Sequence, residues 1–536
     1  MQSCELKALG RGKLGLWLWL LLFQAWGLAG CGSLPQLDRS ALHSAAVPAS
    51  PVTALGRTAA VGQPTANSSG FRLLPLGSLS LDARQQLVKR AERSLDLQYY
   101  HLANDDTGRA LLRQLRDAAA RGVRVRLLLD DLYTGGCDEL LLALAAHPGV
   151  EVRLFNPFTV ARERGPLGRF VADPFAWGRI NHRMHNKLFI ADGAWAVMGG
   201  RNIADEYFLR KREDNFIDVD ALVAGAVLPQ LQALFDRYWN SDTVFPVQAL
   251  LMHKGEPSRQ RAHFEVATEP GPQPRSLDLP PKDVLGYAAI GAELDEGALQ
   301  LIWGTAKAFA DDPGKPQDGA AGGALMTSSV TYEVLQTLGR AQQEVTISSP
   351  YFIPGERGLA LFTELRGRDV QISVLTNSLA STDELLAHLG YARYRPALLD
   401  LGVQLYELSQ RRVKDNMRMF LFGASLGRLH AKTLVIDRRF SYIGSMNFDP
   451  RSATINTELG VVIDSPQLAA ELLHLLDIDR LHNAYRVQRD ASGDWFEWHV
   501  PDGGGGGQVL TLEPDSRWWM RWLGSALLPF TPENQL

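Results

Sequence analysis

His185-Asn-Lys187-Leu-Phe-Ile-Ala-Asp192 and His430-Ala-Lys432-Thr-Leu-Val-Ile-Asp437 are one pattern written twice. Each reads H-x-K-x4-D. Each is followed at the same offset by a small-residue turn and an asparagine: Gly199-Gly200-Arg201-Asn202 after the first, Gly444-Ser445-Met446-Asn447 after the second. A lone H-x-K is common and would more often be a surface strand without chemistry. Two matching copies imply two halves that each donate one His and one Lys to a single site.

The residues after each His, from Lys187 to Ile190 and from Lys432 to Ile436, read as buried strands. Residues i and i+2 of a strand share a face, so His185 would point with Lys187 and His430 with Lys432. Asp192-Gly193 reads as a hairpin turn before a second apolar strand, Ala194 to Met198, and Asp437-Arg438-Arg439 turns likewise before Phe440 to Ile443. Two ammonium groups and two imidazoles would then face one small anion. Lys supplies fixed positive charge for phosphate oxygens, and His titrates near neutrality. The combination suits phosphoryl transfer, with one His as nucleophile and the other as general acid and then base. Asn202 and Asn447 can donate amide N–H groups to phosphate oxygens, with turn stabilisation as the rival role. Asp192 and Asp437 complete the motif and are grouped with the catalytic residues, although their strand-end positions favour structural support.

The duplication extends beyond the motifs. Ser94 to Tyr100 has its counterpart in Glu344 to Phe352, an apolar strand ending in aromatics. A helix follows each, Gly108 to Arg121 and Gly358 to Leu365, and then another strand, Val123 to Leu129 and Val370 to Leu375. Gly149 to Leu154 pairs with Gly402 to Glu407 in the same way. Strands alternating with helices specify an α/β layered fold. The repeated order gives two similar α/β domains related by a pseudo-twofold, with the active site at their interface.

H-x-K-x4-D twice in one chain resembles the phospholipase D superfamily, and within it the bacterial cardiolipin synthases, the C type most of all. The segments that carry the resemblance are Met184 to Asp192, Gly199 to Phe208, Pro350-Tyr-Phe-Ile-Pro354 and Gly444 to Arg451. It runs from about Phe71 to the C-terminus and implies phospholipase D-type domains. It also implies that a carboxylate fixes the tautomer of each catalytic imidazole. Asp218, in Asn215-Phe-Ile-Asp218, and Glu458, in Asn456-Thr-Glu458, are the candidates, with ordinary strand carboxylates as the alternative. The implied activity is phosphatidyl transfer to phosphatidylglycerol through a phosphohistidine, making cardiolipin. His185 is assigned as nucleophile and His430 as acid and base, and the pseudo-symmetry permits the reverse. Alternatives are a hydrolytic phospholipase D that yields phosphatidic acid, a nuclease of the same superfamily and a non-catalytic lipid-binding protein. Implied partners are phospholipids, with phosphatidylglycerol first and phosphatidylethanolamine second, and a membrane surface. No cofactor and no metal are required.

Lys7, Arg11 and Lys13 precede an apolar run from Leu14 to Trp26, then Leu28-Ala29-Gly30-Cys31. The run is short for a membrane span and ends in small residues, as signal peptides do. Cys31 at the cleavage point resembles a bacterial lipoprotein signal and is the expected lipidation site, with an uncleaved anchor as the alternative. The expected location is the cell envelope, facing the periplasm, with the outer membrane favoured over the inner. Residues 1–30 are then the signal and 31–70, rich in Ala, Ser, Pro and Thr, a flexible tether. Residues 71–246 form the first domain, 247–323 an inter-domain insert, 324–485 the second domain and 486–536 a C-terminal extension. In that extension Trp518, Trp519 and Trp522 beside Arg517 and Arg521 suit either an interfacial helix or a terminal helix docked on the core. The loop from Asn156 to Trp177 is a candidate lid. Net charge is −4 over 536 residues, which argues against an extended nucleic-acid footprint. Cys137 is left as a single quiet thiol.

Overall fold

The computed structural model describes residues 34–172, 176–251, 255–271, 279–315, 329–419, 427–500 and 508–527. The signal stretch, Cys31 and the glycine run 503–507 lie outside them. The chain separates into a short unit, Met1–Leu37, and a large one, Asp38–Leu536. The large unit carries both motifs.

Its first half contributes β1 (Ser69–Leu74), β2 (Ser94–Tyr99), β3 (Arg124–Asp130), β4 (Val150–Phe155), β5 (Leu188–Ala191), β6 (Trp195–Gly199), β7 (Asn215–Ile217), β8 (Asp220–Gly225) and β9 (Val244–Pro246). The second contributes β10 (Ile302–Ala310), β11 (Glu344–Ser348), β12 (Gln371–Asn377), β13 (Gln404–Leu408), β14 (Gly427–Leu429), β15 (Thr433–Ile436), β16 (Phe440–Gly444), β17 (Leu459–Asp464) and β18 (Ala484–Arg489). Among the helices are α1 (Gly77–Arg90), α2 (Asp106–Ala120), α3 (Pro166–Ala172), α4 (Leu228–Trp239), α5 (Gly355–Gly367), α6 (Leu385–Asp400), α7 (Pro466–Ile478) and α8 (Trp518–Leu527).

The two halves repeat one topology. Strands run β9-β4-β3-β2-β5-β6-β8-β1 in the first half and β18-β13-β12-β11-β15-β16-β17-β10 in the second. β2, β3 and β4 are parallel, as are β11, β12 and β13; the other neighbours in each series are antiparallel. β10 pairs with β1 at Phe71↔Ile302 and then continues along β17, so the halves share one sheet. Every residue of β2 is buried although Ser94, Asp96 and Gln98 alternate with its apolar residues, and Asp96 is paired with the buried Arg126 at 2.6 Å. α2 explains its own position: Asp105 caps it by accepting from the Gly108 amide at 2.9 Å, and Leu111, Leu112, Leu115 and Ala118 form its buried stripe.

Each motif hairpin turns as its sequence requires. Ala194 N–H donates to the Ala191 carbonyl at 3.0 Å across Asp192 and Gly193, whose φ values are 50° and 64°. Arg439 closes onto Ile436 at 3.0 Å over Asp437 and Arg438, at 51° and 53°. Positive φ at both central residues is the turn that matches strand twist.

Three expectations need correction. The tether read over residues 31–70 is packed structure from Asp38 onward. Leu55 is fully buried, Trp195 Nε1–H donates to its carbonyl at 3.0 Å, and Ala46 and Val47 bond Asp236 and Gln232 of α4. A segment without periodicity orders here because side chains of the domain satisfy its backbone. The insert 247–323 is likewise more than a connection: it supplies β10 and a helix, Pro257–Ala267, whose Phe264 is buried in the first-half core. Finally, His185 and Lys187 precede β5, and His430 and Lys432 precede β15, so the motif side chains lie on extended lead-ins and not within the sheet.

Candidate active site

Those lead-ins are held by backbone pairing between the halves. β14, which runs into His430, pairs in parallel with β7, which runs into Asp218, and His430 N–H donates to the Ile217 carbonyl at 2.7 Å. The mirror contact joins Met184 to Thr457, with His185 N–H donating to the Thr457 carbonyl at 2.9 Å. Each motif is thereby clamped beside the residue preceding the other half's carboxylate.

The carboxylates therefore serve in exchange. His430 Nδ1 lies 2.7 Å from Asp218 Oδ2, and His185 Nδ1 lies 3.0 and 3.1 Å from the two oxygens of Glu458. With Nδ1 donating, each imidazole keeps its Nε2 lone pair for the cavity. Asp218 also accepts from Val219 N–H at 2.8 Å, and Glu458 from the Ser445 hydroxyl at 2.5 Å. The small residue of each turn fits its carboxylate. A Cβ on Gly200 would lie 2.4 Å from both Asp218 oxygens, whereas Ser445 bonds the longer Glu458.

Lys187 and Lys432 are buried, and each ammonium donates to the carbonyl of its own motif His. The Lys187 ammonium sits 5.2 Å from the Tyr100 ring centroid. Burial, and then both lysines, push the two imidazoles well below the usual histidine range. Burial also depresses Lys187 and brings Lys432 to about 8. The carboxylates move the other way: burial raises Asp218 and brings Glu458 to about 7. An arriving phosphodiester anion would restore positive charge on the bases, since an opposite charge favours the protonated form.

Both imidazoles line a cavity of about 840 Å³, and so do Asn202 and Asn447. Asn202 is engaged on both sides of its amide, accepting from His101 N–H at 3.2 Å and donating to the Tyr207 hydroxyl at 2.9 Å. Asn447 has a buried side-chain oxygen without a partner among the described residues. The two asparagines, alike in sequence, thus differ in what they have left to offer. Asp192 and Asp437 are outside this constellation, which corrects their grouping with the catalytic residues. The Asp192 carboxylate accepts from the amides of Glu92, Arg93 and Ser94 at 3.0, 2.8 and 3.0 Å, and Asp437 from Gln342, Gln343 and Glu344 at 2.9, 2.7 and 3.0 Å. Each ties its hairpin to the start of the central strand of its half. Their role is architectural.

Sequence reasoning touched several of the walls without assigning them to the site. Tyr100 stands edge-on to His185 at 4.9 Å, while Tyr207 and Phe216 contact His430 at 5.1 and 5.0 Å. Leu132, Pro166, Phe170 and Trp177 form an apolar bank from the first half. Asp383, Glu384 and Asp449 form an acidic bank from the second, with Arg451 beside them. Burial brings Asp449 to about 6. Tyr100 ends the aligned strand Ser94 to Tyr100, Tyr207 and Phe216 fall in segments quoted above, Pro166, Phe170 and Trp177 fall in the candidate lid, and Asp449 and Arg451 abut a motif asparagine; Asp383 and Glu384 carried no signal.

Comparison with known proteins agrees with this geometry. A family model described as "Cardiolipin synthase, PLD-like domain" matches residues 85–239 and again 334–479, one match per half. Cardiolipin synthase C of Escherichia coli K12 is 38% identical over 462 residues, covering 84% of this chain and 93% of that protein. Cardiolipin synthase 1 of Bacillus anthracis is 25% identical over 425 residues, covering 79% of this chain and 68% of that one. The phosphatidylserine synthase of Haemophilus influenzae Rd KW20 shares the fold, with a TM-score of 0.56 at 11% identity over 87% of this chain and 95% of that one. With two motif copies facing one cavity and a family match in each half, the chain belongs to the cardiolipin synthase family of phospholipase D-superfamily transferases.

Proposed function

We propose that this protein transfers a phosphatidyl group from one phospholipid to the headgroup hydroxyl of phosphatidylglycerol, making cardiolipin. The observation that carries the reading is the lining of the cavity. Both motif histidines, each with its buried lysine behind it, lie under walls that are apolar on one side and acidic on the other. A cleft that tracks a nucleic-acid backbone needs a basic path for successive phosphates. This one offers charge for one phosphate and apolar surface beside it, as a phospholipid requires.

In the proposed reaction His185 Nε2 attacks phosphorus, and His430 donates its Nε2 proton to the departing headgroup oxygen. The P–O bond breaks, and phosphatidyl-His185 and a free alcohol result. The phosphatidylglycerol hydroxyl then gives its proton to His430 and attacks phosphorus, expelling His185. Lys187 and Lys432 balance charge on the phosphoryl oxygens throughout. The assignment of roles rests on the unequal carboxylates. Asp218 gives Oδ2 to His430 at 2.7 Å while its other oxygen accepts from Val219 N–H, which supports an imidazolium that must carry a proton. Glu458 is shared between His185 and Ser445, which leaves His185 less basic and suited to attack.

We also propose that Cys31 carries the lipid anchor and holds the catalytic unit at the envelope membrane. Among the described residues no helix is long and apolar enough to cross a membrane. The decisive experiment reconstitutes the full chain into phosphatidylglycerol–phosphatidylethanolamine vesicles and identifies products by mass spectrometry. Cardiolipin that disappears in His185→Ala and His430→Ala is expected. Phosphatidic acid alone would convert the assignment to hydrolysis, and DNA cleavage without lipid turnover would overturn it.

A further inference from the structure

Large apolar side chains should not face water on a rigid surface without a reason, and here they gather around the mouth of the cavity. On the first-half bank, α3 holds Leu167 and Val171 outward, 78% and 68% exposed, one helical turn apart. Trp177 lies beside them, half exposed. This is not slack in a loop. Arg162 pairs with Asp131 and Asp138 at 2.8 Å each, Arg169 is buried and donates to the Arg162 carbonyl at 2.6 Å, and Phe170 packs between Phe158 and Trp177 at 5.6 and 5.1 Å. The segment is fixed in place with its apolar face out.

Beside its acidic bank the second half carries an apolar rim of its own, from a distant part of the chain. The first turn of α6 lines the cavity with Ala387 and an exposed Leu386. One turn on, Leu389 touches Gly524 of α8, its Cδ2 lying 3.2 Å from where a Cβ would sit. The lead into α8 is fastened by Glu513 to Arg395 at 2.9 Å and by Asp515 to Ser409 at 2.5 Å. From that footing α8 presents Trp518 and Trp522, four residues apart on one face, with Trp519 beside them. Among the described residues the exposed tryptophans are Trp177, Trp495, Trp518, Trp519 and Trp522, and of these only Trp495 is on neither bank. Tryptophan is the residue that settles at the boundary between headgroups and acyl chains.

The position of the banks decides what covers them. A protein lying across both would close the way to His185 and His430. A bilayer would cover both and also deliver the ligand between them. Building on the phosphatidyl-transfer reading, we propose that α3 with Trp177 and α8 form a two-banked collar that docks on the lipid surface, so that substrates enter the cleft from the membrane and do not pass through water.

The test uses the full chain with two substrates, phosphatidylglycerol–phosphatidylethanolamine vesicles and a short-chain phosphatidylglycerol kept below its micellar concentration. Leu167→Asn with Val171→Asn, and separately Trp518→Ser with Trp522→Ser, should raise KM on vesicles by about tenfold or more. Both pairs should leave turnover of the monomeric lipid and the melting midpoint unchanged. Unchanged vesicle kinetics in both pairs, or equal losses on both substrates, would overturn the collar. Quenching of tryptophan fluorescence by brominated lipid reads the docking without catalysis. It should be strong in the parent and fall in Trp518→Phe/Trp519→Phe/Trp522→Phe, and its absence in the parent refutes the collar even if cardiolipin is made. Quenching without turnover of either lipid would instead sink the phosphatidyl-transfer reading and leave the collar standing.

Discussion

Replacing Asp192 by alanine should unfold this protein more readily without touching its chemistry, and replacing Asp437 should do the same far more weakly. The Asp192 carboxylate is fully buried and accepts three amides, those of Glu92, Arg93 and Ser94. Alanine leaves those donors without a partner. At about 1 kcal/mol for each, Asp192→Ala loses about 3 kcal/mol. Asp437 makes the same three contacts, but it is half exposed, and water can replace it at Gln342 and Gln343. Asp437→Ala should cost about 1 kcal/mol. Asp192→Asn is the informative intermediate. Oδ1 alone lies within 3.2 Å of all three amides, so an asparagine oxygen in that position keeps the bonds and loses only the charge. Its cost should fall between the two. Urea midpoints give the stability order, and specific activity per folded molecule should stay within a few-fold of the parent for all three. An Asp192→Ala protein with the parental midpoint and no activity would refute the architectural assignment and return this residue to the catalytic set.

Gly200→Ala removes no functional group, yet its Cβ falls 2.4 Å from both oxygens of Asp218. It should displace that carboxylate from His430 and lower kcat by about 100-fold or more with little change in melting; parental kcat would show that the carboxylate is not needed. The pH profile of kcat/KM should fall on the alkaline side near pH 8, because the Lys432 ammonium is charged below about 8 and neutral above it. The acid limb should lie well below pH 6.5, since His185 must be neutral to attack and burial depresses its imidazole. Lys432→Arg should move the alkaline limb upward, and a limb that stays at pH 8 would place the titration elsewhere. Leu55→Ala should cost about 3 kcal/mol in a urea melt if the segment from Asp38 is part of the core; a parental midpoint would restore the tether reading. With a p-nitrophenyl phosphodiester, which needs no acid to leave, His430→Ala should release a burst of nitrophenol and leave an adduct on His185, mapped by mass spectrometry. An adduct on His430 in His185→Ala reverses the assignment.

The parts of the fold legible in the sequence were those where local chemistry and tertiary demand agree. Apolar runs such as Ile190 and Val435 sit in strands buried on both faces, Asp192-Gly193 turns because glycine accepts positive φ, and α2 carries a cap and a stripe. The illegible parts were decided by partners far along the chain. Nothing in Ser44-Ala-Ala-Val47 announces that Asp236, Asn240 and Gln232 hold its backbone. Nor does a strand end distinguish a catalytic lead-in from a sheet strand: His185 lies outside β5 with its backbone N–H bonded to Thr457, more than 200 residues away. The chemistry of the acidic and apolar banks escaped for another reason, although the loop from Asn156 to Trp177 stood out by its length. They lie on loops that differ between the halves, so the duplication that exposed the motifs could not expose them.

The same limit separates the motif's carboxylates into two kinds. Asp192 and Asp437 stand at fixed spacing from the histidines, and Asp218 and Glu458 stand further off in looser sequence, yet only the second pair touches imidazole. The difference lies in which backbone each carboxylate follows. Asp192 ends its own half's strand and is directed back to that half's β2. Asp218 follows Ile217, whose carbonyl accepts from His430 across the interface, and Glu458 follows Thr457, which does so for His185. A carboxylate one residue past a cross-half bond is carried to the other half's histidine. The exchange makes each half incomplete alone: separating them would strip both imidazoles of their anions at once. A change at either histidine therefore bears on the whole interface, whereas the loops above carry no such shared constraint and differ between the halves in the surface they give the cavity.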